Sequence, residues 1–257
     1  LAILIYARRV LKKHPLWMLD RLVITVALAA CLIRLGNFAN SEIYGAPANS
    51  SLETVFTQPA RDRLLGVYGK FLSGIDFKAT GQKEVTDSLI HPVYQVQFDF
   101  NENLQDRQLA ERLVNERMAP YLSQLSPEDR NLVLREGQQL QWDPDLKGRA
   151  TAKALGIPRW PSQLFEAAAY LLIFFILARL FLVSGVARRQ GVLFGMFLIL
   201  VFGFRFFIEN YKANQVAAEQ GQMLNIGQQL SIPLVAIGLF FVIRATRGKP
   251  SVSSQNE

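Results

Sequence analysis

Four long apolar runs constrain this chain more than anything else in it. A helix needs roughly 20 mostly apolar residues to cross the hydrocarbon core of a bilayer. Leu16–Leu35 forms one such run, interrupted by the adjacent Asp20 and Arg21. Leu164–Gly185 forms a second, with Glu166 in its first turn and Arg179 late in it. Val192–Ile208 is a third and includes Arg205; Leu230–Ile243 is a fourth, short unless Gly227–Gln229 are drawn in. A soluble protein can bury one such segment as a core helix. Four of them in 257 residues predict a polytopic membrane protein.

The charges are distributed to match. Residues 41–163 hold 16 of the 21 acids and 14 of the 28 bases, a net −2, while the rest of the chain sums to +9. That split excludes one uniform soluble domain, and the apolar content excludes intrinsic disorder. The basic residues fall into short segments. Arg8, Arg9, Lys12, Lys13 and Arg21 precede or open the first run, Arg188 and Arg189 separate the second from the third, and Arg244, Arg247 and Lys249 follow the fourth. By the positive-inside rule these segments face the cytoplasm, the 41–163 block lies outside and the tail inside. The basic excess is thus a topology signal, and no nucleic-acid partner is expected because no aromatic-interleaved basic patch accompanies it. A single cysteine, Cys31, excludes an intrachain disulfide and a cysteine-based metal cluster. Leu1–Ala7 is apolar but has no basic head, so it is expected to be the end of a further transmembrane helix rather than a secretory signal, in a chain truncated at its front.

Residues 46–160 read as a small α+β insertion. Tyr94, Val96, Phe98 and Phe100 alternate with Gln95, Gln97 and Asp99, the pattern of a half-buried strand. Asp106–Met118 has Leu109, Leu113 and Val114 at helical spacing, and Ser126-Pro127-Glu128-Asp129 carries the cap, proline and acids of a helix start. His91, beside Pro92, is assigned a structural or solvated role. With no nucleophile–base constellation in it, the insertion reads as a packed accessory domain or lid.

Charged and polar groups at membrane depth are expensive unless paired or facing water. Three clusters fit that description, all at the outer face by the topology above. The first runs from Arg34 through Gly36, Asn37, Asn40, Ser41 and Glu42 to Gly45, where Gly36 can supply a left-handed helix stop. Taken alone it is equally a snorkelling arginine with a polar exit loop. The second is Arg205 and Glu209, spaced i,i+4, either a structural ion pair or a site. Glu sits poorly at the negative end of a helix, so its presence asks for a reason. The third is Ser162, Gln163 and Glu166 at the start of the second crossing, joined by Gly227, Gln228, Gln229 and Ser231 at the start of the last. Two arginines, three glutamates and several amides thereby converge on one leaflet. Arginine suits bidentate phosphate recognition, so an anionic phospholipid headgroup is the natural ligand. Carboxylates beside it would orient hydroxyls or accept a proton.

These residues also carry a resemblance. The stretch RLGNFANSEIYG, Arg34 to Gly45, resembles the signature of the prolipoprotein diacylglyceryl transferases, the bacterial inner-membrane enzymes that lipidate lipoprotein precursors. Gly191 to Glu209 is similar to their Arg/Glu helix motif, Gly227 to Pro233 to their final-helix motif, and Pro158 to Glu166 to a segment that usually reads Arg-His-Pro-x-Gln-Leu-Tyr-Glu. The resemblance covers about residues 1–45 and 156–245. Trp160 stands where the family has His, Phe165 where it has Tyr, and the external insertion is longer than the usual loop. The family's His-Gly-Gly motif, a source of the catalytic base, is expected before residue 1.

The resemblance implies an all-α polytopic membrane protein with a small α+β extracytoplasmic insertion. Residues 1–45 are membrane part, 46–160 the insertion, 161–245 three further crossings and 246–257 a cytoplasmic tail. It implies transfer of a diacylglyceryl group from phosphatidylglycerol to the lipobox cysteine of a prolipoprotein signal peptide at the periplasmic side of the inner membrane. In that reading Arg34 and Arg205 stabilise the phosphate leaving group. Glu42 and Glu209 position the arginines or glycerol hydroxyls, and Asn37, Asn40, Gly45, Gln163, Glu166, Gln228 and Ser231 form the substrate site. No metal or other cofactor is expected. The alternative is a non-catalytic membrane protein that binds anionic lipid or peptide on the same scaffold.

Overall fold

The apolar runs fold as helices whose outward faces are as greasy as their inward ones. The computed structural model describes residues 2–86, 89–102, 104, 106–183, 186, 189–209 and 224–247. Gly185, Arg188, Lys249 and the tail from 248 onward lie outside the described residues. In chain order the helices are α1 (Ala2–Ile5), α2 (Pro15–Ala39), α3 (Gln58–Tyr68), α4 (Arg107–Arg112), α5 (Ala119–Ser123), α6 (Ser162–Val183), α7 (Val192–Ile208) and α8 (Ile226–Arg247). The strands are β1 (Leu72–Thr86), β2 (Leu89–Phe100), β3 (Leu132–Leu134), β4 (Gln141–Trp142) and β5 (Arg149–Gly156), with π-helical turns at Tyr6–Val10 and Leu113–Met118. The chain divides into two units: Asn40–Pro161 with its sheet, and a helical unit of Leu1–Ala39 and the described residues from Ser162 onward.

In the helical unit, α2, α6 and α8 are each long and apolar enough to cross a membrane. At about 1.5 Å per residue the 17-residue α7 spans about 25 Å, so it is the third run, not the fourth, that is short. Val23, Ala27 and Cys31, one turn apart on α2, pack against Ala167, Tyr170, Ile173 and Leu177 of α6 and Leu193 and Val201 of α7. Leu32, Ile33, Leu172, Phe175 and Phe240 are all more than half exposed on the other side. Outer faces this apolar are those of helices in lipid. Helices α7 and α8 approach until their backbones touch. A Cβ on Gly195 would lie 2.7 Å from the Gly238 carbonyl oxygen, and one on Gly238 would lie 2.8 Å from that of Gly195.

Asp20, read along the sequence only as an interruption, has a defined task. It is 3% exposed, and its two carboxylate oxygens accept from the backbone N–H of Gly191 at 2.6 Å and of Phe194 at 2.8 Å. A carboxylate from α2 thus caps the positive end of α7, where Gly191 takes a left-handed φ of 94° to open the helix. We expect Asp20→Ala to lower the unfolding free energy in detergent by about 2 kcal/mol, with Asp20→Asn losing less because one acceptor remains. An unchanged thermal midpoint in the alanine variant would show that the cap contributes nothing.

The other unit is one antiparallel sheet in the order β1-β2-β5-β3, with β4 also pairing to β5. Period-two alternation sends Val96, Phe98 and Phe100 of β2 and Ala150, Ala152 and Ala154 of β5 to one face, covered by Leu64, Val114, Met118 and Leu122. Gln97, Asp99 and Arg149 form a polar ladder, the Arg149 Nε lying 2.6 Å from Asp99. His91 is buried inside β2 and bonds the Gly156 carbonyl through Nδ1 at 2.9 Å, a structural role.

Three local expectations are corrected. Helix α2 runs through Gly36 to Ala39, so Arg34 lies within it and the left-handed residue comes later, at Ser41. Leu109 faces outward; the buried stripe is Ala110, Val114 and Met118, because the π-helical turn after Arg112 rotates the face. Ser126–Asp129 forms a turn, not a helix start. The carbonyls of Pro127, Glu128 and Arg130, which a helix would use internally, accept instead from the Arg159 guanidinium.

Candidate active site

Helices α2, α6 and α7 bring charged residues together inside the helical unit. Arg34 sits in the last two turns of α2, and Glu166 in the first turns of α6. Arg34 Nε lies 2.5 Å from Glu166 Oε2, and the Glu166 side chain is 1% exposed. One turn further along α6, the Tyr170 hydroxyl donates to the same oxygen at 3.4 Å. Both Arg34 and Arg205 of α7 lie within electrostatic reach of that hydroxyl. Two cations thus lie near the same phenol and its carboxylate partner, an arrangement able to attract an anion. Tyr170 was missed by the sequence reading. Its signal was a phenol placed i+4 from Glu166 in an otherwise apolar run.

Glu209 closes the C-terminal end of α7 and packs onto α8. A Cβ on Gly227 would fall 2.7 Å from the Glu209 Cδ and 2.8 Å from both carboxylate oxygens, so only glycine leaves the carboxylate its place. Gln228 ties the same two helix ends together. Its Nε2 donates to the Phe206 carbonyl at 3.2 Å, and its Oε1 accepts from Asn225 N–H at 3.1 Å. Ser231 is buried and donates to the Gly227 carbonyl at 2.6 Å. Gln163 is likewise buried, next to Ser162 at the head of α6.

An apolar groove runs between α6 and α7. It encloses about 630 Å³ and is lined in part by Phe165, Leu172 and Ile176 on one side and Leu200, Phe204 and Ile208 on the other. Phe165, Phe204 and Ile208 adjoin Glu166, Arg205 and Glu209 in sequence.

Asn37 lies in the last turn of α2, within the helical unit, whereas Asn40, Glu42 and Gly45 belong to the sheet unit. Glu42 is exposed between two left-handed residues, Ser41 at φ 56° and Ile43 at φ 55°. For a β-branched residue that conformation is a genuine outlier, and strain of this kind costs about 1–3 kcal/mol per residue. Beyond it Tyr44 stacks on Phe56 with centroids 5.1 Å apart and accepts from Asn131 Nδ2 at 2.7 Å. Gly45 N–H donates to the Trp160 carbonyl at 2.9 Å. Arg159, in the same unit, is fully buried. Burial pushes its guanidinium below the ordinary arginine value, against the opposing influence of Tyr44, Glu128 and Asp129. The Arg63 guanidinium bonded to it holds the Asp129 carboxyl below its usual range, burial pulling the other way.

Comparison with known proteins places these residues in context. The profile of the family described as prolipoprotein diacylglyceryl transferase matches residues 1–244. The chain is similar to the phosphatidylglycerol–prolipoprotein diacylglyceryl transferase of Tolumonas auensis, 28% identical over 249 residues, which cover 97% of this chain and 59% of the relative. It is similar to the protein of the same name from Porphyromonas gingivalis, 28% identical over 95% of this chain and 57% of the relative. A shorter stretch of 85 residues is 45% identical to that of Bacteroides fragilis, covering 33% of this chain and 31% of the relative. The chain thus spans 59% and 57% of the length of the two relatives that it matches nearly end to end.

Proposed function

The chain belongs to the prolipoprotein diacylglyceryl transferase family, and from that premise we propose that it transfers a diacylglyceryl group from phosphatidylglycerol to the lipobox cysteine of a prolipoprotein. The carrying observation is the convergence of Arg34, Glu166 and Arg205 in the same helical unit that holds an apolar groove between α6 and α7. An anionic headgroup meets the two guanidinium groups while an acyl chain enters the groove. Glu166 holds Arg34 by Nε and so fixes the plane of its guanidinium for the phosphate.

In the reaction the cysteine sulfur, deprotonated by a general base, attacks the glyceryl carbon that bears the phosphate oxygen. The S–C bond forms, the C–O bond breaks, and glycerol phosphate departs with the electron pair. Negative charge grows on the leaving phosphate, where Arg34 and Arg205 stabilise it more in the transition state than in the ground state. Glu42 and Glu209 orient the arginines or the glycerol hydroxyls. Asn37, Asn40, Gln163, Gln228 and Ser231 shape the headgroup site, and Gly45 ends the loop that carries Glu42. The thiolate is the competent nucleophile, since a free cysteine thiol ionises near pH 8.5.

The proposed topology has four crossings, α2, α6, α7 and α8, in the bacterial inner membrane. Basic segments and C-terminus are cytoplasmic, and residues 46–160 are periplasmic. The test is transfer by the complete protein in phosphatidylglycerol vesicles to a synthetic lipobox peptide. The peptide should gain the mass of a thioether-linked diacylglyceryl group, and its Cys→Ser counterpart should gain nothing. No mass gain with the cysteine peptide, together with no rescue of a strain depleted of its own transferase, overturns the reading.

A further inference from the structure

The strained turn around Glu42 needs something to hold it, and the sheet unit supplies that from three separate parts of its chain. Arg159 is 0% exposed. Its Nη1 donates to the Gly45 carbonyl at 3.3 Å, and its Nη2 to the carbonyls of Pro127 at 2.6 Å, Arg130 at 2.9 Å and Glu128 at 3.1 Å. The same guanidinium lies over the Tyr44 ring, 4.9 Å from its centroid. Its backbone exchanges hydrogen bonds with Thr54 in both directions at 3.0 Å, and Trp160 does so with Gly45 and Ala46. Asn131 completes the grip through the Tyr44 hydroxyl.

Through its guanidinium and its backbone together, Arg159 therefore joins the start, the middle and the end of the insertion to the two residues that follow Ile43. Four carbonyl dipoles and a ring face meet the two terminal nitrogens and the plane of this charge. What this bond set does is fix Tyr44 and Gly45, and with them the exit of a turn whose Ser41 and Ile43 would otherwise relax to negative φ. We propose that Arg159 is a positioning residue for Glu42, and that the insertion serves the reaction as the clamp of this turn. Lysine cannot replace it, because a point charge with three tetrahedral donors neither spreads over carbonyls on both sides nor stacks on Tyr44.

The activity readout rests on the transferase reading above. In the complete protein, Arg159→Lys is expected to lower kcat about 100-fold, with KM for phosphatidylglycerol nearly unchanged, as a small misplacement of a site group does. Adding Ile43→Gly should restore about tenfold of that loss, since glycine takes positive φ without being held there. A purely structural arginine would not respond to a change at residue 43. Normal kcat in Arg159→Lys overturns the proposal, as does a loss identical with and without Ile43→Gly. Hydrogen exchange of a peptide covering residues 41–45 gives a second readout independent of transfer. Exchange should speed up at least tenfold in Arg159→Lys. If the unmodified protein transfers nothing, the transferase reading fails. Unchanged exchange at 41–45 in Arg159→Lys then overturns the clamp separately.

Discussion

Arg34→Ala is expected to lower diacylglyceryl transfer by about 10³-fold or more, the scale seen when a preorganised cation or donor is removed from a developing negative charge. Two losses combine in it. The phosphate loses one of its two guanidinium partners, and Glu166 loses the Nε that lies 2.5 Å from its carboxylate. At 1% exposure, Glu166 losing one partner of a buried ion pair costs about 3–5 kcal/mol of stability. The two effects separate in a double variant. Arg34→Ala with Glu166→Gln should recover part of the thermal stability, because the buried carboxylate no longer carries a charge, while transfer stays lost. Arg34→Lys should keep the charge but lose the fixed plane, and fall between the two. The assay is transfer to a lipobox peptide alongside unfolding in detergent. Near-normal transfer by Arg34→Ala would remove the arginine from the mechanism.

Gly195→Leu is expected to separate α7 from α8. The first added carbon already meets the Gly238 carbonyl oxygen at 2.7 Å, the Val242 Cγ2 at 2.8 Å and the Val242 backbone N at 3.1 Å. Two of those are backbone atoms and cannot swing aside, so the helices must part. Overpacking of this kind costs about 3 kcal/mol. The consequence reaches the site, because Glu209 on α7 is seated against Gly227 on α8, and Gln228 spans the same two helix ends. Both folded yield and transfer should therefore fall. Gly203 is the control on the same helix: nothing lies within 4 Å of a Cβ there, so Gly203→Ala should be neutral or slightly stabilising. Equal behaviour of the two variants, read as thermal midpoint in detergent, would show that the α7–α8 contact is not as close as described.

The two predictions differ in how far the sequence alone could have led to them. Arg34, Glu166 and Arg205 stood out along the chain because each is charged at the end of, or within, an apolar run, and a lone charge there is costly whatever surrounds it. Nothing in the linear pattern pairs Arg34 with Glu166, or adds Tyr170 to them. The Gly195–Gly238 contact is equally silent, since either glycine reads locally as a mild helix destabiliser. Gly36 shows the converse. Its local preference favours a helix stop, yet α2 continues to Ala39, because one glycine costs a helix less than its surroundings return. At Ser126–Asp129 every local signal of a helix start is present, and a turn forms instead because Arg159 claims the carbonyls.

Properties that sum over contiguous residues were thus legible in advance: the apolar runs, the separation of acidic from basic segments, the alternation of β2 and the charges out of place. They depend on transfer free energies and on the 3.6- and 2-residue periods, which need only neighbours along the chain. The folded structure decided which distant groups meet. It joined Arg34 to Glu166 and Tyr170, Asp20 to the N-terminus of α7, Glu209 to Gly227, and Arg159 to a strained turn more than 100 residues earlier, Gly45 accepting from it across 114 positions. Hydrogen bonds and ion pairs act over about 3 Å and depend on angle, so no one-dimensional pattern specifies them until packing has set the distances.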